Sequence, residues 1–393
     1  MSFTRPIVIA AIPLLAAFAQ NDASVLQPVR SAPTEKLTVN LGVRDWGPAT
    51  VAGSTVVAGS PSGRGGLFGI DAVSGKAKWT FRPVFPSGTA SVSTAPAVAG
   101  TLAIAPFAAA HPGATIAVSL ATGKEVWRGP DPQQGAGVAV DADLAFILAK
   151  DGFFYALEIA TGRVRWKTEF ATNLAPCASQ PVVKDSVVYF TGIAKATPAG
   201  YYLFALDSKT GQERWRYRAE APYVRPGVCL NQPVVTSDTI FATGDNYLYA
   251  LTRDSGRNRW SPIEVRRPVE GRERPVQVNG LVDAGALLIG ISPGHLIAFN
   301  KDTGRTAWDL PGQFRDSASI TAVAGNVLYF QGSPASKPAP GPSGTLHALD
   351  LETRQILWSF SRPTAEPNWA FGHITPVNGG LWVDSYQALV KLE

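Results

Sequence analysis

Four segments of this chain set arginine close to aromatic, amide or acidic side chains. They read VRDWGPA around Arg44 and Trp46, YVRPGVCLNQP around Arg225, RERPVQVNG around Arg272, Arg274 and Asn279, and QFRDSAS around Arg315 and Asp316. A fifth, EPNWAFGHITP, adds Trp369 and His373. A guanidinium group offers a rigid fork of donors that matches a carboxylate, and it also stacks on aromatic faces. Brought together, these residues would suit an anionic, flat or carboxylate-bearing ligand, or an acidic peptide of a protein partner. The competing expectation is a solvated rim in which the arginines pair with Asp45, Glu273 and Asp316.

Several other chemistries are excluded. There is no HExxH and no phosphate-cradling GxxxxGK. His111, His295, His347 and His373 lie far apart, and neither Cys177 nor Cys229 belongs to a zinc-type cluster or a Cys-x-x-Cys-His haem signature, so no metal ligands are assigned. The formal net charge is +5, yet no lysine/arginine run and no aromatic-interleaved basic strip argues for nucleic acid.

The elements that must carry the arginine segments are set by a repeat. Seven times an apolar and aromatic stretch enters a short turn and then a tryptophan: GIDAVSGKAKW, AVSLATGKEVW, ALEIATGRVRW, ALDSKTGQERW, ALTRDSGRNRW, AFNKDTGRTAW and ALDLETRQILW, ending at Trp79, Trp127, Trp166, Trp215, Trp260, Trp308 and Trp358. The spacing of 39 to 50 residues is that of propeller blades. The glycine four residues before each tryptophan sits where two strands reverse, because it reaches positive φ without penalty. Arg354 takes that position in the last copy, which predicts a looser or differently shaped turn. The tryptophans read as structural wedges between sheets.

This YxLD/TG/W pattern resembles the PQQ-like β-propeller repeat family, which includes the BamB-type propeller lipoprotein of the outer-membrane assembly machinery and, more distantly, the quinoprotein alcohol dehydrogenases. The resemblance covers nearly all of the chain after about residue 36. It implies an all-β fold, and it leaves function open between the two kinds of member.

An eighth strand set, ITPVNGGLWVDSY and QALVKLE, ends the chain without a tryptophan. The alternating segment Lys36–Val43 is therefore expected to complete the last blade and hide its edge. The expected architecture is an eight-bladed β-propeller of four-stranded antiparallel blades, a single domain over residues 36–393, with the ring closed by an N-terminal strand. Strand parity puts the tight Ser/Thr-Gly turns on one face. The insertions PFAAAHPGA, GIAKATPAG and Ser333–Gly344, together with the interblade segments, fall on the other.

Residues 1–19 read as a secretory signal peptide, with Arg5, an apolar run and the small-x-small triplet Ala17-Phe18-Ala19. Residues 20–35 then form a flexible mature N-terminus. No other stretch is long enough to span a membrane, and Gln20 stands where a lipoprotein would need cysteine. A periplasmic or secreted monomer is expected. Cys177 and Cys229 occupy matching places in consecutive blades, so an oxidising compartment predicts a disulfide between them.

Two functions remain from these readings. One is a non-catalytic binding or scaffold protein of the cell envelope, engaging a protein or acidic peptide at the loop-rich face, with no cofactor. The alternative, implied by the dehydrogenase resemblance, is an oxidoreductase holding pyrroloquinoline quinone and calcium at the channel mouth. Asp316, Asn279 and Trp369 are the candidates there for base, calcium ligand and aromatic floor.

Overall fold

The computed structural model describes residues 26–43, 45–61, 66–86, 88, 90–109, 112–133, 136–170, 179–194, 200–219, 230–269, 271–292, 294–314, 321–334, 345–362, 371–385 and 388–393. Among these residues every regular element is a strand. Blades 1 to 7 span residues 49–81, 97–128, 139–169, 182–219, 234–264, 281–314 and 321–360. Each has four antiparallel strands in chain order. Blade 8 takes three strands from residues 371–392 and its outermost from Glu35–Val39, which pairs with Leu389–Leu392. The eight-bladed ring and its N-terminal closure are as the sequence predicted.

The repeat explains the packing. Every motif tryptophan lies directly across the strand pair from glycine or alanine: Gly69, Ala117, Ala156, Ala205, Ala250, Ala298 and Ala348. A small partner leaves room for the indole, and a Cβ on Gly69 would come within 2.1 Å of the Trp79 ring. The ring then reaches the next blade. The indole N–H of Trp79 donates to the Leu120 carbonyl at 2.7 Å, Trp127 to Ile159 at 2.7 Å, Trp166 to Ser208 at 3.0 Å and Trp215 to Arg253 at 3.0 Å. Each acceptor sits three residues before the turn glycine of the following blade. In blade 8 the tryptophan register is held by Thr38, across from Val390.

The turns share one build. A side-chain oxygen of Asp71, Asp207, Asn300 or Asp350 accepts from the backbone N–H groups two and three residues on. The backbone N–H of the turn glycine closes the loop onto the same residue's carbonyl, as Gly75 does to Asp71 at 2.9 Å. The Arg354 turn corrects the expectation of a looser shape. Arg354 adopts φ 61° and donates to the Asp350 carbonyl at 2.8 Å, so an arginine accepts the left-handed backbone that glycine takes elsewhere.

The part of the expected flexible N-terminus that is described, residues 26–34, packs on blades 7 and 8. Val29 is buried: its N–H donates to the Tyr329 hydroxyl at 2.7 Å, and its carbonyl accepts the Trp358 indole at 2.9 Å. Arg30 pairs with Asp350 at 2.5 Å. Blade 8 has no outer turn, because its third strand ends at the C-terminus and its fourth comes from the N-terminus. The N-terminal segment supplies the acceptor that such a turn would have offered to Trp358.

Three further elements decorate the face opposite the turns. Ala90–Ser91 pairs with the loop end of the second strand of blade 2. The last strand of blade 6, Thr306–Phe314, runs on to pair with the second strand of blade 7. A two-stranded hairpin, Arg266–Val269 and Arg272–Pro275, stands between blades 5 and 6. Residues 1–25, Cys177 and Cys229 lie outside the described residues, and so do 110–111, 195–199 and 335–344 within the three insertions. No described helix is long and apolar enough to cross a membrane.

Candidate functional site

Of the ten residues singled out for the channel mouth, Arg44, Arg225, Arg315, Asp316 and Trp369 lie outside the described residues. The other five do not form one cluster. Arg272 and Arg274 are on the hairpin between blades 5 and 6, Asn279 leads into the first strand of blade 6, and Trp46 and His373 lie between blades 8 and 1.

Trp46 is not a ligand platform. It is 3% exposed, packed at 5.1 Å and 56° against Phe68, and its indole N–H has no hydrogen-bond partner. With Trp382 it fills the seam between blades 8 and 1, where no motif tryptophan is available. His373 Nδ1 meets Asp384 Oδ2 at 3.1 Å. Asp384 is buried, its other oxygen has no partner, and burial pushes its carboxyl above the ordinary carboxylate range. The corresponding second-strand positions of blades 1 to 7 are Ala58, Ala105, Ile147, Phe190, Ala242, Gly290 and Phe330. The closing seam thus holds a carboxylate where the other blades have an apolar residue or glycine.

Asn279 donates its backbone N–H to the Ile291 carbonyl at 2.7 Å. Asn231, which the sequence did not single out, does the same to Thr243 at 2.8 Å, while its side chain donates to the Val278 carbonyl of the next blade at 3.2 Å. These amides fasten the segments that enter the inner strands. The chain also contains GISPG, Gly290–Gly294, the spacing of a nucleophile elbow. Its Ser292 is fully buried at the end of a strand that turns back into another strand, His295–Asn300, instead of entering a helix, so the motif is structural.

The hairpin is the exposed basic feature of this face. Its register places Arg267 directly opposite Arg274, and Arg272, two residues from Arg274, shares their side of the ribbon. Arg266 lies on the other side, held to Glu264 at 2.5 Å. Arg267 is anchored near Asp309 of blade 6 at 3.5 Å, and that carboxylate also receives His295 at 2.5 Å. Arg272 and Arg274 are exposed.

A quinone with calcium needs a planar aromatic floor and several oxygen ligands that meet. The described residues alone do not assemble this. Trp46 is closed into a seam, Asp384 is committed to His373 within the same seam, and among the described residues no three His, Cys, Asp or Glu side chains could share a metal ion.

A family model described as outer membrane protein assembly factor BamB matches residues 112–262 and 205–386. Among curated proteins, an outer membrane protein assembly factor BamB of Burkholderia pseudomallei is 27% identical over 262 residues, 64% of this chain and 62% of that protein. A quinoprotein ethanol dehydrogenase of Pseudomonas putida is 28% identical over 225 residues, 53% of this chain and 30% of that protein. The quinoprotein alcohol dehydrogenase PedH of Pseudomonas putida is 31% identical over 147 residues, 34% of this chain and only 22% of its own length. The matches thus span less than two thirds of each of these relatives. Among solved structures, BamB from Moraxella catarrhalis superposes with a TM-score of 0.58 at 16% identity, covering 92% of this chain and 97% of that one. The quinohemoprotein alcohol dehydrogenase of Comamonas testosteroni gives 0.59 at 13%, covering 93% and 78%. At those identities the structural likeness is one of fold.

Proposed function

Because the chain belongs to the family described as outer membrane protein assembly factor BamB, we propose that it is an exported, non-catalytic propeller that presents its loop-bearing face to another protein of the cell envelope. The observation that carries this reading is the asymmetry of the disc. One face ends in near-identical tight turns closed by their own backbone and Asx bonds. The other carries an added hairpin, an added short strand and an interblade strand pairing. Elaboration of a single face of a rigid ring is what a docking platform requires. An oxidising compartment is also where the proposed Cys177–Cys229 bridge would persist.

A photo-crosslinking amino acid at Arg272, on the loop-bearing face, and another at Lys124, in a turn of the opposite face, test the reading in intact envelopes. Adducts with an outer-membrane assembly protein from position 272 and none from 124 are expected. Equal adducts from both faces, or none from either, would overturn it. The competing oxidoreductase reading predicts a new absorption band when pyrroloquinoline quinone and calcium are added to the purified protein, together with dye-linked alcohol oxidation.

A further inference from the structure

Beyond the reading of the loop-bearing face, we propose that the opposite face, at the turns of blades 1 to 4, is a peripheral binding surface for an anionic lipid bilayer. The tight turns divide into two sectors at the residue two places before the glycine position. In blades 1 to 4 that tip is Val73, Ala121, Ala160 or Lys209, and in blades 5 to 7 it is Asp254, Asp302 or Glu352, all of them exposed. The residue just after the glycine is a cation, Lys76, Lys124 or Arg163, in blades 1 to 3. Arg257 and Arg305 hold that place in blades 5 and 6, but there each shares its turn with an acidic tip. The acids of the first sector are already held. Asp71 pairs with Lys78 at 3.4 Å, Glu125 with Arg128 at 2.9 Å, Asp143 and Glu158 each with Arg165 at 3.3 Å, Asp185 with Arg253 at 2.5 Å, Asp207 with Arg214 at 2.7 Å and Glu213 with Arg216 at 2.6 Å. Asp141 accepts from the Ser208 hydroxyl at 3.4 Å. Among the described residues no ion pair engages Lys76, Lys124 or Lys209, while Arg163 adds to the field of Arg165 on Glu158.

The four tips are held at one height. The N–H of each turn glycine closes onto the carbonyl four residues back: Gly75 to Asp71 at 2.9 Å, Gly123 to Ser119 at 2.8 Å, Gly162 to Glu158 at 2.8 Å and Gly211 to Asp207 at 2.9 Å. Turns of one build on successive blades of a ring lie in one plane, which is the shape a bilayer presents. Val73 is 78% exposed at the tip of blade 1, and Val126 and Val164, just beyond the turn glycines of blades 2 and 3, are 48% and 50% exposed. Apolar side chains interleaved with cations suit the boundary between headgroups and acyl chains, whereas an acidic peptide would use the cations and leave the valines in water. The other blades are unsuited. Blades 5 to 7 set a carboxylate first against a negatively charged surface, and the N-terminal segment lies over blades 7 and 8, where Gln27 accepts from the Gly379 N–H at 3.1 Å and Arg30 donates to Asn326 at 2.7 Å.

The experiment is cosedimentation of the intact protein with vesicles of mixed phosphatidylglycerol and phosphatidylcholine, compared with vesicles of phosphatidylcholine alone. Wild type should bind the mixed vesicles and not the neutral ones. Each cation beside an anionic surface is worth about fivefold in partitioning, so Lys124→Ala/Arg163→Ala should bind the mixed vesicles at least tenfold more weakly. Arg257→Ala/Arg305→Ala removes the same charge from the other sector. At about 0.15 M salt, where exposed charges more than about 8 Å from the surface are largely screened, that pair should bind as wild type does. Val73→Asp, which copies the tip of blade 5, should also weaken binding, and all three variants should keep the wild-type melting temperature because the altered side chains are exposed. Equal binding of wild type to both kinds of vesicle would overturn the proposal. So would equal losses in the two alanine pairs, which would reduce the effect to net charge, or polyglutamate that binds wild type as tightly as the vesicles do. Crosslinking from position 272 reports on the opposite face of the disc, so the lipid surface and the protein-docking face stand or fall separately.

Discussion

The seams between blades 1 and 5 and the seam between blades 8 and 1 solve the same packing problem with different parts. In the first four, one tryptophan wedges between sheets and donates its N–H to a carbonyl of the next turn, so the group that needs a partner and the group that supplies it recur from seam to seam. In the closing seam Thr38 stands in the tryptophan register, and Trp46 and Trp382 fill the space from other parts of the chain. Two buried polar atoms, Trp46 Nε1 and Asp384 Oδ1, are left without hydrogen bonds there. Along these four seams the repeat satisfies its own polar groups, although the indole N–H groups of Trp260 and Trp308 in the next two blades find no acceptor. Where the ring must close, the residues are unique and the satisfaction is incomplete.

The largest test of this contrast removes the closure. A protein lacking residues 1–44 should leave the Leu389–Leu392 edge bare and Trp358 without its Val29 acceptor. It should elute from a sizing column as aggregate, because an unpaired strand edge recruits other chains. A monomer with the wild-type melting temperature would break the comparison.

A smaller effect separates paired from unpaired indoles. Trp215 donates to Arg253, whereas the buried N–H groups of Trp260 and Trp308 have no acceptor. Trp215→Phe should therefore cost about 1 kcal/mol more, in urea-midpoint measurements, than Trp260→Phe, the worth of one hydrogen bond. Equal losses would mean that the bond contributes nothing beyond ring packing.

The smallest expected effect concerns Asp384. Its carboxyl is raised by burial, so the folded state holds the proton more tightly than the unfolded chain. The stabilising share is full below the ordinary carboxylate value of about 3.9 and is lost as pH rises through the folded value. His373 offsets part of the cost of ionisation. Asp384→Asn should flatten the dependence of melting temperature on pH above that value, and an unchanged slope would remove Asp384 from the account.

What could be read before the structure follows the same divide. The blade count, the turn positions and the closing strand were legible because seven copies say the same thing. Arg354 misled because the sequence shows the missing glycine but not the turn's other bonds, which hold an arginine at positive φ. Trp46 and His373 were assigned to the mouth because polar neighbours suggested a surface. The burial of Trp46 depends on how blade 8 meets blade 1, a contact between distant parts of the chain that no local pattern encodes, while His373 is half-buried and turned onto Asp384 of its own blade. The hairpin, whose second strand opens RERPVQVNG, was hidden because its prolines and arginines lack the apolar alternation of a blade strand, while the pairing that places three arginines on one side appears only in the register.

The pairing of Thr34 with Glu393 also sets a timetable. The segment that completes the ring is made before its partner, and the two are separated by about 350 residues of synthesis. At about 5–20 residues per second, the N-terminal strand waits roughly 20–70 s for the C-terminal one to exist. Until then the growing protein is an open arc with a bare edge at each end. The finished disc has neither, so the interval before closure is when this chain is most exposed to mispairing, and a factor that shields strand edges would act then.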